Sequence, residues 1–185
     1  MKYPALFQAF MITFFMFCSM ILSCNPETQA EGTNISEPSD IKVYSAEKGD
    51  YIMGKTVVKT DEEWKKLLTP VQYHIMREMG TEQAFSGQYD HFYEDGIYRC
   101  AACGLDLYKS EDKFDSKTGW PSFTAPIAPE NIIEAPDNSL FSTRTEILCR
   151  RCDSHLGHVF NDGPKPTGLR YCMNSAALQF VAAGK

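Results

Sequence analysis

Two Cys-x-x-Cys pairs, Cys100-Ala101-Ala102-Cys103 and Cys149-Arg150-Arg151-Cys152, constrain this chain more than any other feature. Each pair fits a tight knuckle that turns both sulfurs toward one ion, and Gly104, directly after the first, supplies the positive φ such a knuckle often needs. Four thiolates around Zn²⁺ make a closed tetrahedral site with no open position, hence a structural one. Arg99, Arg150 and Arg151 lie beside the ligands in sequence, where their charge would offset part of the site's negative charge. The alternative is disulfides, open to a chain exported into an oxidising compartment. A bridge within one C-x-x-C closes too small a loop to gain much, whereas an ion joins two distant segments and is worth on the order of 10 kcal/mol in small metal domains. Zinc is therefore the favoured reading. Either way these four cysteines are satisfied among themselves.

The full chain has 185 residues and seven cysteines, an odd number, so at least one thiol has no internal partner. This length suits one domain, and 43% hydrophobic residues with 12% aromatics exclude wholesale disorder. A net charge of −6, with no block of Lys or Arg, excludes a nucleic-acid partner. Two of the remaining cysteines lie near the N-terminus. There residues 9–22 form an apolar run after Lys2, the layout of a secretory signal and shorter than the roughly 18 residues of a membrane span. The run ends in Ile21-Leu22-Ser23-Cys24, which resembles a bacterial lipobox, whose cysteine is lipidated and becomes the new N-terminus. That resemblance implies a signal peptide at 1–23, a lipidated N-terminus and flexible tether at 24–50, and a folded domain at 51–185. The protein would then be exported and held by lipid on the periplasmic or cell-surface side of a bacterial envelope. An uncleaved signal anchor is the alternative, because counting from Leu6 gives nearly enough apolar length to span.

Thr60-Asp61-Glu62-Glu63 is a capping box, followed by Trp64, Leu67, Leu68 and Val71 at helical spacing. Pro70 interrupts this helix, and Thr69-Pro70-Val71-Gln72 starts a second, with Val71, Ile75 and Met79 on one face before Gly80 stops it. Beyond Tyr89, turn residues punctuate short aromatic and β-branched runs at 96–98, 140–143, 158–160 and 177–181. The predicted fold is mainly β, antiparallel sheet with short N-terminal helices, and the two Cys pairs read as related hairpins.

Cys172 is the thiol left over. In Arg170-Tyr171-Cys172-Met173-Asn174, strand alternation puts Arg170, Cys172 and Asn174 on one face. A guanidinium there would lower the thiol pKa and favour the nucleophilic thiolate, and Asn174 would orient a polar substrate. The competing reading is a buried, inert cysteine. Two of the four histidines, His155 and His158, follow the second Cys pair directly. Imidazole suits proton exchange near neutral pH, but in a regular strand these two point to opposite faces and share a site only if a bulge forms at Gly157. Each alone reads equally well as a core or supporting histidine. Gly119-Trp120-Pro121-Ser122-Phe123 places a large aromatic, Trp120, where it would wall a small apolar pocket, the alternative being a plain core tryptophan.

Taken together, TEQAFSGQYD (81–90), GIYRCAACGLDLYKSEDKFDSKTGWPSF (96–123), CRRCDSHLGHVFNDGP (149–164) and GLRYCMNSAALQF (168–180) resemble the type B methionine sulfoxide reductases, collinearly from about Thr60 to Val181. The resemblance implies two antiparallel sheets with flanking helices and a structural Zn²⁺ on Cys100, Cys103, Cys149 and Cys152. It implies reduction of methionine R-sulfoxide in proteins, with Cys172 as nucleophile and Trp120 and Phe123 binding substrate. His155, His158, Asp162, Arg170 and Asn174 fall on its active-site positions. Many members carry S-G-C-G-W before the tryptophan, where that cysteine resolves the sulfenic acid. Here Thr118 stands in its place and Lys117 where Gly is usual. With four cysteines on zinc and Cys24 acylated, an external thioredoxin-like thiol would have to reduce Cys172, and a monomer is expected. A non-enzymatic zinc scaffold, or a disulfide oxidoreductase using a C-x-x-C, are the other classes these residues leave open.

Overall fold

The computed structural model describes residues 36–139 and 143–184. The apolar run, the lipobox and Cys24 lie outside the described residues, as do residues 140–142 of the strand expected at 140–143. Among the described residues no helix is long and apolar enough to cross a membrane.

The first strands begin earlier than the composition suggests. Within the stretch 24–50 expected as tether, β1 (Asp40–Ser45) pairs with β2 (Asp50–Lys55) as an antiparallel hairpin. Ile41 and Val43 alternate with exposed neighbours and are buried in the core, so the ordered body starts by Asp40. Gly49, at φ 64°, makes the turn.

Helices α1 (Asp61–Leu67) and α2 (Pro70–Arg77) carry the two expected capping boxes. Thr60 accepts from the Glu63 amide at 3.2 Å, and the Glu63 carboxylate accepts from the Thr60 amide at 2.8 Å. Their buried faces differ from the pattern read off the sequence. Trp64 of α1 and Leu68 just after it are buried, as are Ile75 and Met76 of α2, while Leu67, Val71 and Met79 are exposed. Splitting the run at Thr69 reorients α2, so a single helical stripe across Pro70 does not survive.

The body is antiparallel throughout. Strands β3 (Gly96–Cys100), β4 (Asp106–Lys109), β5 (Lys113–Phe114), β6 (Ser122–Phe123), β7 (Ile132–Asp137), β8 (Arg144–Cys149), β9 (His155–Phe160), β10 (Arg170–Met173) and β11 (Leu178–Ala182) follow in order. They form a six-stranded sheet, β5-β6-β10-β9-β8-β7, and a three-stranded sheet, β11-β3-β4. Aromatic rings join the two: Phe123 of β6 stacks on Tyr108 of β4 at 4.4 Å between centroids and meets Tyr98 of β3 edge-on at 5.0 Å. Tyr171, Met173, Ile147 and Leu156 complete the same core from the larger sheet.

Candidate active site

The two Cys pairs come together at the edge of this core. Their four sulfurs lie within 4.8 Å of one another, with Cys100 and Cys152 3.6 Å apart and Cys103 and Cys149 3.5 Å apart. A disulfide would need about 2.05 Å. A tetrahedral ion with metal–sulfur bonds of about 2.3 Å needs sulfurs about 3.8 Å apart, so the donor set fits a structural metal. The two knuckles have matching bonds. Gly104 N–H donates to the Cys100 carbonyl at 2.8 Å and Asp153 N–H to the Cys149 carbonyl at 2.9 Å, with Gly104 at φ 75° and Asp153 at φ 53°. The expected positive φ at Gly104 is present, and Asp153 provides its counterpart, since Asp tolerates this conformation better than most residues. Of the neighbouring arginines, Arg151 donates to the Cys103 carbonyl at 3.3 Å, while Arg99 is taken up by Asp106 at 2.6 Å. Arg77 of α2, not singled out in the sequence, donates to the Cys152 carbonyl at 2.9 Å and ties the helices to the cluster.

Beyond the second knuckle, β9 runs beside β10 and aligns the candidate chemistry. Residues directly opposed on neighbouring strands project to the same face. Cys172 is opposite Ser122 of β6 on one side and His158 of β9 on the other, and His158 is opposite Glu146 of β8. Ser122, Cys172, His158 and Glu146 thus form one row across the sheet. Arg170, two residues before Cys172, shares that face. Its guanidinium makes a double contact with Asp162 at 2.8 and 2.9 Å and lies 4.4 Å over the Phe160 ring.

A register shift between β8 and β9 inserts an extra residue before Gly157, the bulge on which a shared histidine site depended. It turns His155 onto the same side as His158, with ring centroids 5.3 Å apart. The two nevertheless occupy different positions. His158 lines a solvent-open cleft together with Trp120, Cys172, Asn174, Thr81 and Arg144. His155 is buried behind it, with Nδ1 2.6 Å from Glu146 and Nε2 without a partner among the described residues. Burial pushes the His155 pKa down, against the pull of Glu146, so this ring favours the neutral form. His158 Nε2 sits 2.8 Å from Asp137 Oδ2, which also receives Arg144 at 2.6 Å. Bonds from Ser139, then from His158 and Arg144, hold the Asp137 carboxyl well below the usual carboxylate range. Asp137 is therefore ionised, and His158 Nε2–H donates to it.

Burial pushes the Cys172 thiol above its ordinary value. Arg170 acts in the expected direction, as do hydrogen bonds from Thr118 and Ser122, but desolvation outweighs them. The free pocket thus stores a thiol rather than a standing thiolate. Asp162 acts through Arg170, its carboxyl lowered by that pairing, and is itself largely exposed. Asn174 Oδ1 accepts from the Glu82 amide at 3.1 Å, and its Nδ2 donates to the Leu156 carbonyl at 3.2 Å, which fixes it at the cleft wall.

One expected substrate contact does not form. Phe123 is fully buried, because its partner across the strands is Tyr171, on the core face opposite to Cys172. It supports the sheet and does not face the cleft. Three residues at the site were not singled out in the sequence: Asp137, Arg144 and Glu146. For Arg144 and Glu146 the signal is a run of charge, Arg144-Thr145-Glu146, in a strand that goes on to the buried Ile147 and Cys149.

A sulfur opposed to a carboxylate-anchored imidazole, with an arginine two residues before it on the same strand, is the arrangement of an enzyme that works through a cysteine thiol. Residues 68–182 match the SelR domain family. The peptide methionine sulfoxide reductase MsrB of Methanosarcina barkeri is 55% identical over 126 residues, covering 68% of this chain and 89% of that protein. Its namesakes from Thiobacillus denitrificans (57% over 122 residues, 66% and 92%) and Leptospira interrogans (54% over 128 residues, 69% and 98%) match over a similar span. The chain belongs to this family, the MsrB-type peptide methionine sulfoxide reductases.

Proposed function

We propose that the protein reduces methionine R-sulfoxide in oxidised proteins back to methionine. The observation that carries this reading is Cys172 directly opposite His158 at the floor of a cleft walled by Trp120. The substrate's S-methyl group rests against the indole while its sulfur lies over Cys172. As the Cys172 sulfur attacks, its proton and one carried by His158 go to the sulfoxide oxygen, so no standing thiolate is needed. The oxygen passes to Cys172 as a sulfenic acid, its second proton returns to His158 and methionine departs: the substrate sulfur gains two electrons and Cys172 loses two. Arg170, held by Asp162, stabilises negative charge on sulfur as it develops.

The cycle closes with an external dithiol, such as a thioredoxin-like protein. One of its thiols attacks the Cys172 sulfur and releases water, and its second thiol then breaks the mixed disulfide and regenerates Cys172. Thr118, beside Cys172 in the place of the family's resolving cysteine, supports this one-cysteine route. Cys100, Cys103, Cys149 and Cys152 would hold Zn²⁺, which supplies a rigid cross-link under β9 and no chemistry. The sequence of residues 1–24 supports export and lipid anchoring through Cys24, with the domain acting as a monomer on the outer side of the membrane.

The test is turnover of dabsylated R- and S-methionine sulfoxide with dithiothreitol. Wild type should act on the R epimer alone, and Cys172→Ser should be inactive. Equal turnover by the variant, or preference for the S epimer, overturns the reading.

A further inference from the structure

The segment 81–90 precedes the two main sheets and contributes only Thr81 to the cleft lining, yet Glu82 is bonded on every polar atom it has. Its carboxylate accepts from two successive backbone amides, Ser175 at 2.6 Å and Ala176 at 3.0 Å, just beyond the Cys172 strand. Its own amide donates to Asn174 Oδ1 at 3.1 Å, and its carbonyl accepts the Trp120 indole N–H at 3.2 Å. Three residues on, Phe85 N–H donates to the Gly119 carbonyl at 2.8 Å, and a Cβ on Gly119 would collide with Phe85. Gly87 passes so close to Ser175 and the Glu82 carboxylate that a side chain there would strike both.

We infer that Glu82 is the positioning residue of the substrate cleft, fixing Trp120 and Asn174 relative to each other and to Cys172. Trp120 comes from the loop before β6, and Asn174 from the end of β10. Neither is bonded to the other, and Glu82 bridges them. The side-chain carboxylate anchors the segment to the chain that carries Cys172, and the main chain of the same residue then holds the indole and the amide. Without the carboxylate, the backbone bonds to Trp120 and Asn174 lose their fixed point, and the wall facing the S-methyl group loosens while Cys172 and His158 stay in register. The inference rests on the proposed reductase reading, and its effect should fall on substrate binding more than on the chemical step.

Glu82→Ala and Glu82→Gln separate this from a merely structural role. With R-sulfoxide as substrate, Glu82→Ala should raise KM about tenfold and change kcat, per intact Cys172 thiol, by less than about threefold. Glu82→Gln retains one acceptor oxygen and should fall between. A loss of folded protein alone would lower apparent kcat and leave KM where it was. The second readout needs no activity. The chain has two tryptophans, so ¹⁵N-labelled protein shows two indole N–H resonances. The one lost in Trp120→Phe should shift in Glu82→Ala and exchange faster with solvent, while that of Trp64 stays. Unchanged KM in both Glu82 variants, or a Trp120 indole resonance that does not move, overturns the inference. A wild type inactive on the R epimer would instead bring down the functional reading, and the indole shift would still decide whether Glu82 holds Trp120.

Discussion

His158 and Asp137 are joined end to end, Nε2 to Oδ2 at 2.8 Å, while the other ring nitrogen of His158 has no partner among the described residues. That single contact sets the tautomer: an ionised carboxylate accepts only, so the proton sits on Nε2 and any further proton must be carried on Nδ1. Asp137→Asn keeps the volume but ends the ionic pull on both His158 and Arg144. Turnover of R-sulfoxide should fall roughly ten- to hundredfold, part of what a general acid contributes. Alkylation of Cys172 by iodoacetamide, which needs no proton donor, should proceed at the wild-type rate. Equal losses in both assays would mean that Asp137 holds the fold and not the imidazole.

The same carboxylate predicts a pH dependence of stability. Bonds from Ser139, then His158 and Arg144, depress the Asp137 pKa in the folded protein, so across the interval between the folded and unfolded values the unfolded chain binds more protons. The group's stabilising contribution is therefore complete above the ordinary carboxylate value of about 3.9 and is lost as pH falls through the folded value. The Tm difference between wild type and Asp137→Asn should hold constant from about pH 5 to 7 and close as the pH drops below about 4. A gap that widens in acid would contradict the assigned direction.

What the sequence made legible was local. The metal cluster could be read because each C-x-x-C pair carries its own geometry, and the capping boxes because they span four residues. Asp137 and Glu146 escaped, because what brings them to the histidines is strand register plus a bulge, and register is a property of pairs of strands. Phe123 was misjudged for the converse reason. Its proximity in sequence to Trp120 suggested a shared pocket, but strand alternation at β6 sends it into the core, where Tyr108 and Tyr98 are waiting aromatic partners. The β1–β2 hairpin was hidden in polar composition, although Ile41 and Val43 already alternate with Asp40 and Lys42.

Thr118 offers a test of the one-cysteine cycle. Its hydroxyl lies near enough to Cys172 to favour the thiolate and is linked to Ser116 at 2.8 Å, which in turn accepts from Ser122 at 2.7 Å. A thiol placed at Thr118 would lie within reach of a sulfenic acid on Cys172. Thr118→Cys, treated with one equivalent of R-sulfoxide and no reductant, should end as an internal disulfide, about 2 Da lighter than the reduced protein. Wild type under the same conditions should carry one extra oxygen on Cys172. A wild-type disulfide to Cys172 would refute the external-thiol route.

Gly157, beside the reacting pair, tolerates no side chain. A Cβ there would run into the Cys172 carbonyl and the Met173 Cα of the neighbouring strand, where Gly157 and Met173 are paired. The obstruction is backbone and not the far end of a flexible side chain, so no rotamer change relieves it. Gly157→Ala must push the two strands apart one residue from the Cys172–His158 pair. The expected cost is about 1–3 kcal/mol of stability, the usual range for overpacking, read as a lower urea midpoint with unchanged slope. Turnover should fall more than stability does, because a displacement of about 1 Å between reacting groups can cost on the order of a hundredfold in rate. Gly104→Ala provides the contrast. A Cβ on Gly104 meets nothing within 4 Å, and its only penalty is the φ of 75°. That variant should lose stability and keep its turnover per folded molecule, so similar activity losses in the two glycine variants would show that Gly157 matters to the fold alone.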